Sequence, residues 1–154
     1  MEKKNEKTID VLNTLIEINN DRIQGYLTAA KETDEADLKK LFGELAHNSQ
    51  KNKQALAQEV ENLGGTSTEE TKTTGKFFRA WMDIKAALTG KDRKAILSSC
   101  EYGEDVAHKT YDDMLKDHTG DLTAGQIQMI REQHNLVKSG HDKIKQLRDS
   151  LVLH

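Results

Sequence analysis

Apolar residues recur at every third or fourth position along four long stretches of this chain, the period that lays them on one face of an α-helix. No stretch alternates apolar and polar residues as a strand would, and the 154 residues include no proline to break a helix. The first stretch, 8–32, opens on Thr8 as a cap and carries Leu12, Leu15, Ile16, Ile23, Tyr26 and Ala30. The second, 35–63, carries Leu38, Leu41, Phe42, Leu45, Leu56, Val60 and Leu63. Gly64-Gly65 closes it, because glycine enters the left-handed conformation without a steric penalty. The third, 93–116, carries Ile96, Leu97, Cys100, Ala107, Tyr111, Met114 and Leu115. The fourth, 123–151, opens on the capping box Thr123-Ala124-Gly125-Gln126 and runs through Ile127, Ile130, Val137, Ile144 and Leu151.

Helices with one apolar stripe each bury those stripes against one another, and a bundle is the simplest solution for four. Turns at 33–34 and 118–121 are short enough to make two antiparallel hairpins. Between them lies a polar loop and a short amphipathic helix, 76–88, with Phe77, Trp81, Ile84 and Leu88 on one face. The expectation is an all-α fold: a single four-helix-bundle domain over 1–154, with that short extra helix in the crossover. Parallel and antiparallel arrangements of the second and third helices both satisfy the pattern.

Charge is abundant but mixed, 23 Lys and Arg against 26 Asp and Glu for a net charge of -3. Nucleic-acid binding calls for clustered basic residues, so no nucleic-acid partner is expected. No apolar run approaches the roughly 20 residues that span a bilayer, so no membrane partner is expected either. Met1 to Glu6 is polar and unlike a signal peptide. Cys100 is the only cysteine, which excludes an intrachain disulfide and a cysteine-based zinc site. A cytoplasmic location is expected from these features together.

Each apolar stripe is interrupted near its middle by polar residues. Asn19 lies on the first; Asn48, Ser49 and Asn52 on the second; Glu104 on the third; and Gln133, His134 and His141 flank Val137 on the fourth. Folding the first hairpin about 33–34 sets Asn19 beside Asn48. Folding the second about residue 120 sets Glu104 level with Leu136 and Val137, between His134 and His141. Buried polar groups need partners, and these fall at one level. One reading is a structural layer of Asn19, Asn48, Asn52, Glu104 and His141. The other is a metal or small-ligand site, with Glu104 and His141 as first candidates and His134, Gln133 and Glu101 behind them. One carboxylate with one or two histidines holds a single divalent metal at most: iron, manganese or zinc. No catalytic residue is assigned, and no cofactor beyond such a metal.

Other motifs point outward. Glu44 and His47 have the Glu-x-x-His spacing of dimetal bundles, but His47 lies almost opposite Leu45 on the wheel. Asp105 and His108 have the same spacing, with Asp105 outward and His108 near the stripe. A dimetal centre needs several inward carboxylates, and the first helix offers none on its central stripe, since Glu17 and Asp21 lie far round from it. Cys100 reads as an inert core thiol. Phe77 and Trp81 dock the short helix on the bundle or form a contact patch for a second copy, a route to a homo-oligomer. Gly25, Gly43, Gly103 and Gly140 lie inside predicted helices, where close helix approach or room for a ligand accounts for them.

Several segments taken together resemble a bacterial family of unknown function. They are Cys100-Glu101-Tyr102-Gly103-Glu104-Asp105, Leu63-Gly64-Gly65, Arg79-x-Trp81, Gln133, His141-Asp142 and Leu147-Arg148-Asp149. The resemblance runs from Ile9 to Leu151 and implies a four-helix bundle grouped with ferritin-like folds. It implies no activity. The wider ferritin-like comparison implies iron or manganese oxidation, from which this chain departs: it lacks an inward glutamate on the first helix and a Glu-x-x-His on the fourth, where Lys138 stands three residues before His141. Gln133 stands where some ferritins place a glutamine. The function expected is that of a ferritin-like, non-catalytic binding or assembly protein. The alternative is a metal-binding protein or metal-dependent oxidase using a mid-bundle Glu/His site.

Overall fold

The helical period is realised in four α-helices: α1 Glu2–Glu32, α2 Ala36–Asn62, α3 Arg93–Asp117 and α4 Ala124–Val152. The computed structural model describes residues 2–68 and 93–152, and no strand occurs among them. This is the all-α four-helix architecture that the periodicity predicts. The predicted helix 76–88, with Phe77 and Trp81, lies outside the described residues. No helix among the described residues is long and apolar enough to cross a membrane.

Most helix ends follow the sequence signals. At the start of α4 the Thr123 N–H donates to Gln126 Oε1 at 2.9 Å, and the Gln126 N–H donates to Thr123 Oγ1 at 3.2 Å, completing the predicted capping box. At the end of α2, Gly64 takes φ +82°. Its N–H donates to the Glu61 carbonyl, and the Gly65 N–H donates to the Val60 carbonyl, both at 2.9 Å. That pair of bonds is a Schellman closure. Gly65 is needed for a different reason: a Cβ there would lie 2.7 Å from Ile9 Cδ1, so α1 packs directly on this turn. Thr8 does not cap α1. The helix begins a turn and a half earlier, and Thr8 is buried inside it, its hydroxyl donating to the Asp121 carbonyl.

Side-chain pairings fix the helix directions. Along α1, Asn19 and Arg22 meet Asn52 and Ser49 of α2 in descending order, and Tyr111 and Glu104 of α3 likewise. Along α2, Glu44, Asn52 and Glu59 meet Lys143, Gln133 and Gln126 of α4. So α2 and α3 both run opposite to α1 and parallel to each other, and α4 runs parallel to α1. The end of α2 and the start of α3 therefore lie at opposite ends of the bundle. Arg93, which opens α3, bonds Glu35 and Asp37 at the start of α2.

That junction titrates. The Arg93 hydrogen bond holds the Asp37 carboxyl below its ordinary value. A lowered folded-state pKa contributes stability above the unfolded value, about 3.9, that is lost as pH falls through the folded one. The carboxylate is more than half exposed, so the contribution is at most about 1 kcal/mol. Urea midpoints of wild type and Arg93→Ala should differ slightly at neutral pH and converge in acid.

The core lies in two halves. Leu38, Phe42, Leu97 and Ile144 centre one, where Tyr26 stacks on Phe42 with ring centroids 5.7 Å apart. Leu12, Ile16, Leu56 and Ile130 centre the other. Between the halves sits polar material.

Candidate functional site

The interruptions in the four stripes assemble into two stacked tiers. In the first, each helix contributes one residue to a closed circuit. Asn19 Nδ2 donates to the Tyr111 hydroxyl at 2.8 Å, and that hydroxyl donates to Gln133 Oε1 at 2.8 Å. Gln133 Nε2 donates to the Asn52 carbonyl at 3.3 Å, and Asn52 Nδ2 donates back to Asn19 Oδ1 at 3.5 Å. Burial pushes the Tyr111 pKa up, so the hydroxyl keeps the proton that it donates.

One turn along α1, the second tier holds an ion pair. Arg22 Nη2 lies 2.7 Å from Glu104 Oε1, with side-chain exposures of 2% and 0%. Arg22 Nη1 donates to Ser49 Oγ at 2.6 Å, and the Tyr26 hydroxyl donates to Glu104 Oε1 at 2.9 Å. Burial opposes the charge on Arg22 most strongly, but Glu104, with Tyr26 and Tyr111, together outweigh it and the guanidinium pKa rises. Burial and the Glu104 charge together hold the Tyr26 hydroxyl protonated, with its pKa pushed well up. Arg22 Nε and Glu104 Oε2 are buried without a hydrogen bond. From α4, Gly140 lets Leu45 pack close: a Cβ there would lie 2.8 Å from Leu45 Cδ2, but only at ordinary contact distance, 3.5 and 3.6 Å, from Glu104 Oε1 and Arg22 Nη2. Cys100, beside this tier, is fully buried, and burial with the Glu104 charge raises its thiol pKa far out of the reactive range.

Several positions differ from expectation. Asn48 is only half buried, and Ser49 and Asn52 take the inward places on α2. His141 leaves the layer for the surface seam between α3 and α4, where its Nε2 lies 2.7 Å from Asp105 Oδ1 and 3.8 Å from Glu101 Oε1. Glu104 and His141 therefore serve different structures. Arg22, on the α1 stripe between Asn19 and Tyr26, did not figure among the candidates. Its spacing signals it, three residues after Asn19 and four before Tyr26. Glu44 pairs with Lys143 at 3.1 Å and His47 is exposed, so their Glu-x-x-His spacing belongs to the surface.

On that seam, Glu101, Asp105, His108 and Asp112 form one stripe of α3, opposite His134 and His141 of α4. Two groups with metal-ligand chemistry result, about a heptad apart. In one, Glu101, Asp105 and His141 converge, but Glu101 is held by Arg148. In the other, His108, Asp112 and His134 bring their ligand atoms within 4.8 Å of one another. The two rings lie with centroids 4.2 Å apart and planes tilted by 38°. Burial, with the neighbouring His108 and Lys138, keeps the His134 pKa below its ordinary value, against the pull of Asp112.

A carboxylate-bridged dimetal centre does not fit the interior. Glu104 is the one carboxylate at that level among the described residues, and a guanidinium already neutralises it.

Residues 7–117 match the model of a family described as a domain of unknown function, DUF2383. The chain belongs to this family. The DUF2383 match begins inside α1, covers α2 and ends with α3, so Tyr26, Arg22 and Glu104 lie inside it while Gln133 and Gly140 lie beyond it. The motifs 63–65 and 100–105 that led to a family of unknown function fall within the DUF2383 span. No curated protein matches the chain.

Proposed function

We propose that this DUF2383 protein is a ferritin-like, non-catalytic bundle that acts by binding at its surface. The observation that carries the reading is the Arg22–Glu104 pair, which fills the level where a ferritin-like oxidase keeps its metals. A paired, fully enclosed carboxylate is a structural device: it neutralises a buried cation and pins the helices in one register. The helix directions support the ferritin-like comparison, since two antiparallel hairpins joined by one long crossover place α2 and α3 parallel. A lone buried cysteine suits a reducing, cytoplasmic compartment.

The test is aerobic oxidation of Fe(II) or Mn(II) by protein prepared without an affinity tag or chelator. No protein-dependent turnover is expected, and Glu104→Gln should lower stability without altering the oxidation trace. Reproducible protein-dependent turnover would overturn the reading, and its loss in Glu104→Gln would put the chemistry in the interior. Light scattering and a survey of co-purifying partners then separate binding from self-assembly.

A further inference from the structure

We infer that His108, Asp112 and His134 bind one divalent transition-metal ion on the α3/α4 seam. The inference deepens the surface-binding reading and rests on it. Histidine 108 and aspartate 112 lie one turn apart on α3, and His134 reaches them from α4, so the donors are set by two packed helices rather than by a loop. Two imidazoles and one carboxylate are the ligand set of open transition-metal sites, and nitrogen donors favour such metals over magnesium or calcium. His134 Nε2 is shielded from solvent and makes no well-aligned hydrogen bond, although Asp112 Oδ1 stands 3.3 Å away. A cation placed between this nitrogen and the Asp112 carboxylate oxygen is ligated by both.

The geometry needs little adjustment. Ligand atoms around a tetrahedral ion with bonds of about 2.1 Å are roughly 3.4 Å apart. The three groups are partly exposed, so side-chain rotation closes the gap from within 4.8 Å without moving the helices. Three protein ligands leave a position open to water or to a partner's donor. The neighbouring cluster lacks this capacity because Arg148 already occupies Glu101. Two cations oppose binding: Lys138, one turn along α4 from His134, and Lys116, whose Nζ lies 3.8 Å from Asp112 Oδ2. Lys116 faces the carboxylate oxygen turned away from His134, so Oδ1 remains the ligand atom.

The experiment titrates the untagged full chain with Co(II), read by its visible absorption, and with Zn(II), read by calorimetry. One equivalent should bind. His108→Ala, His134→Ala and Asp112→Asn should each weaken binding by at least about tenfold, with helicity by circular dichroism unchanged. His141→Ala and Glu104→Gln should bind as wild type does. Imidazole NMR signals of His108 and His134 should shift with Zn(II) while those of His47 and His118 stay, a readout that needs no variant. Absence of binding, or binding indifferent to His108→Ala and His134→Ala, overturns this inference and leaves the non-catalytic reading standing. Binding lost in Glu104→Gln but kept in the seam variants puts the metal in the interior and overturns both.

Discussion

Arg22→Met should destabilise the fold by about 3–5 kcal/mol, because it leaves the Glu104 carboxylate buried and unpaired. Glu104→Leu should cost a similar amount by orphaning the guanidinium. The pair is worth far less than either loss implies. Both charges were taken out of water to form it, and hydrophobic replacement of both ends of a buried pair is often neutral or stabilising. The double variant Arg22→Met/Glu104→Leu should therefore recover most of the stability that each single change removes. Urea denaturation followed by two probes gives the four free energies of the cycle. Single losses under about 1 kcal/mol would mean that water reaches the pair. A double variant no better than the singles would mean that Ser49 and Tyr26, rather than the opposite charge, hold each group. If the double variant folds but populates more than one arrangement of helices, the pair has a role in specificity that stability alone does not report.

The helices were legible in the sequence because a repeated apolar stripe and explicit caps speak locally. Thr123 with Gln126, and Gly64 with Gly65, each specify one helix end, and each is found as read. The level at which residues face each other was less legible. Pairing of Asn19 with Asn52 centres the first hairpin between residues 35 and 36, and pairing of Tyr111 with Gln133 centres the second at residue 122. Both centres lie two residues beyond those read from the turn signals. In a hairpin, a two-residue error in the centre moves the opposing strand of contacts by four residues, one helical turn. This is why Asn48 was set where Asn52 belongs, and Val137 where Gly140 belongs. Turn residues such as Thr33 and Asp34 announce that a helix ends but not how many residues the reversal consumes.

The same shift displaces the site, and the rarity of buried arginine hides one of its members. Glu104 was placed inward correctly, and Gln133 was at the right level. Arg22 is hard to read as a core residue because arginine is rarely fully buried and Ile23 beside it fits the apolar stripe, yet Arg22 is 2% exposed. The tyrosines Tyr26 and Tyr111 counted as apolar, although a buried hydroxyl seeks a partner and both found one in the polar tiers. The seam cluster depends on which surface rotamers converge between two helices, which spacing along either helix alone does not encode. His108 and Asp112 are one turn apart, but only the register of α4 brings His134 to them.

Tyr111 should prove the costliest single position in the other tier, and its two truncations separate packing from hydrogen bonding. Its side chain is fully buried and stands against the apolar half of the core that includes Leu12, Leu56 and Ile130. Tyr111→Ala removes the ring and leaves a cavity, for about 3–5 kcal/mol. Tyr111→Phe keeps the ring and deletes only the hydroxyl. Asn19 Nδ2 retains the Leu15 carbonyl at 2.8 Å, so it keeps a partner, whereas Gln133 Oε1 loses the donor at 2.8 Å. One orphaned buried acceptor costs about 1–3 kcal/mol. The Gln133→Leu change on the Tyr111→Phe background removes the orphan and should return part of that loss. It should not return all of it, because Gln133 Nε2 also donates to the Asn52 carbonyl, which then lacks its α4 partner. Urea midpoints of these variants at one pH decide the matter. A Tyr111→Phe variant as stable as wild type would show that the circuit through all four helices adds nothing beyond the packing of the ring.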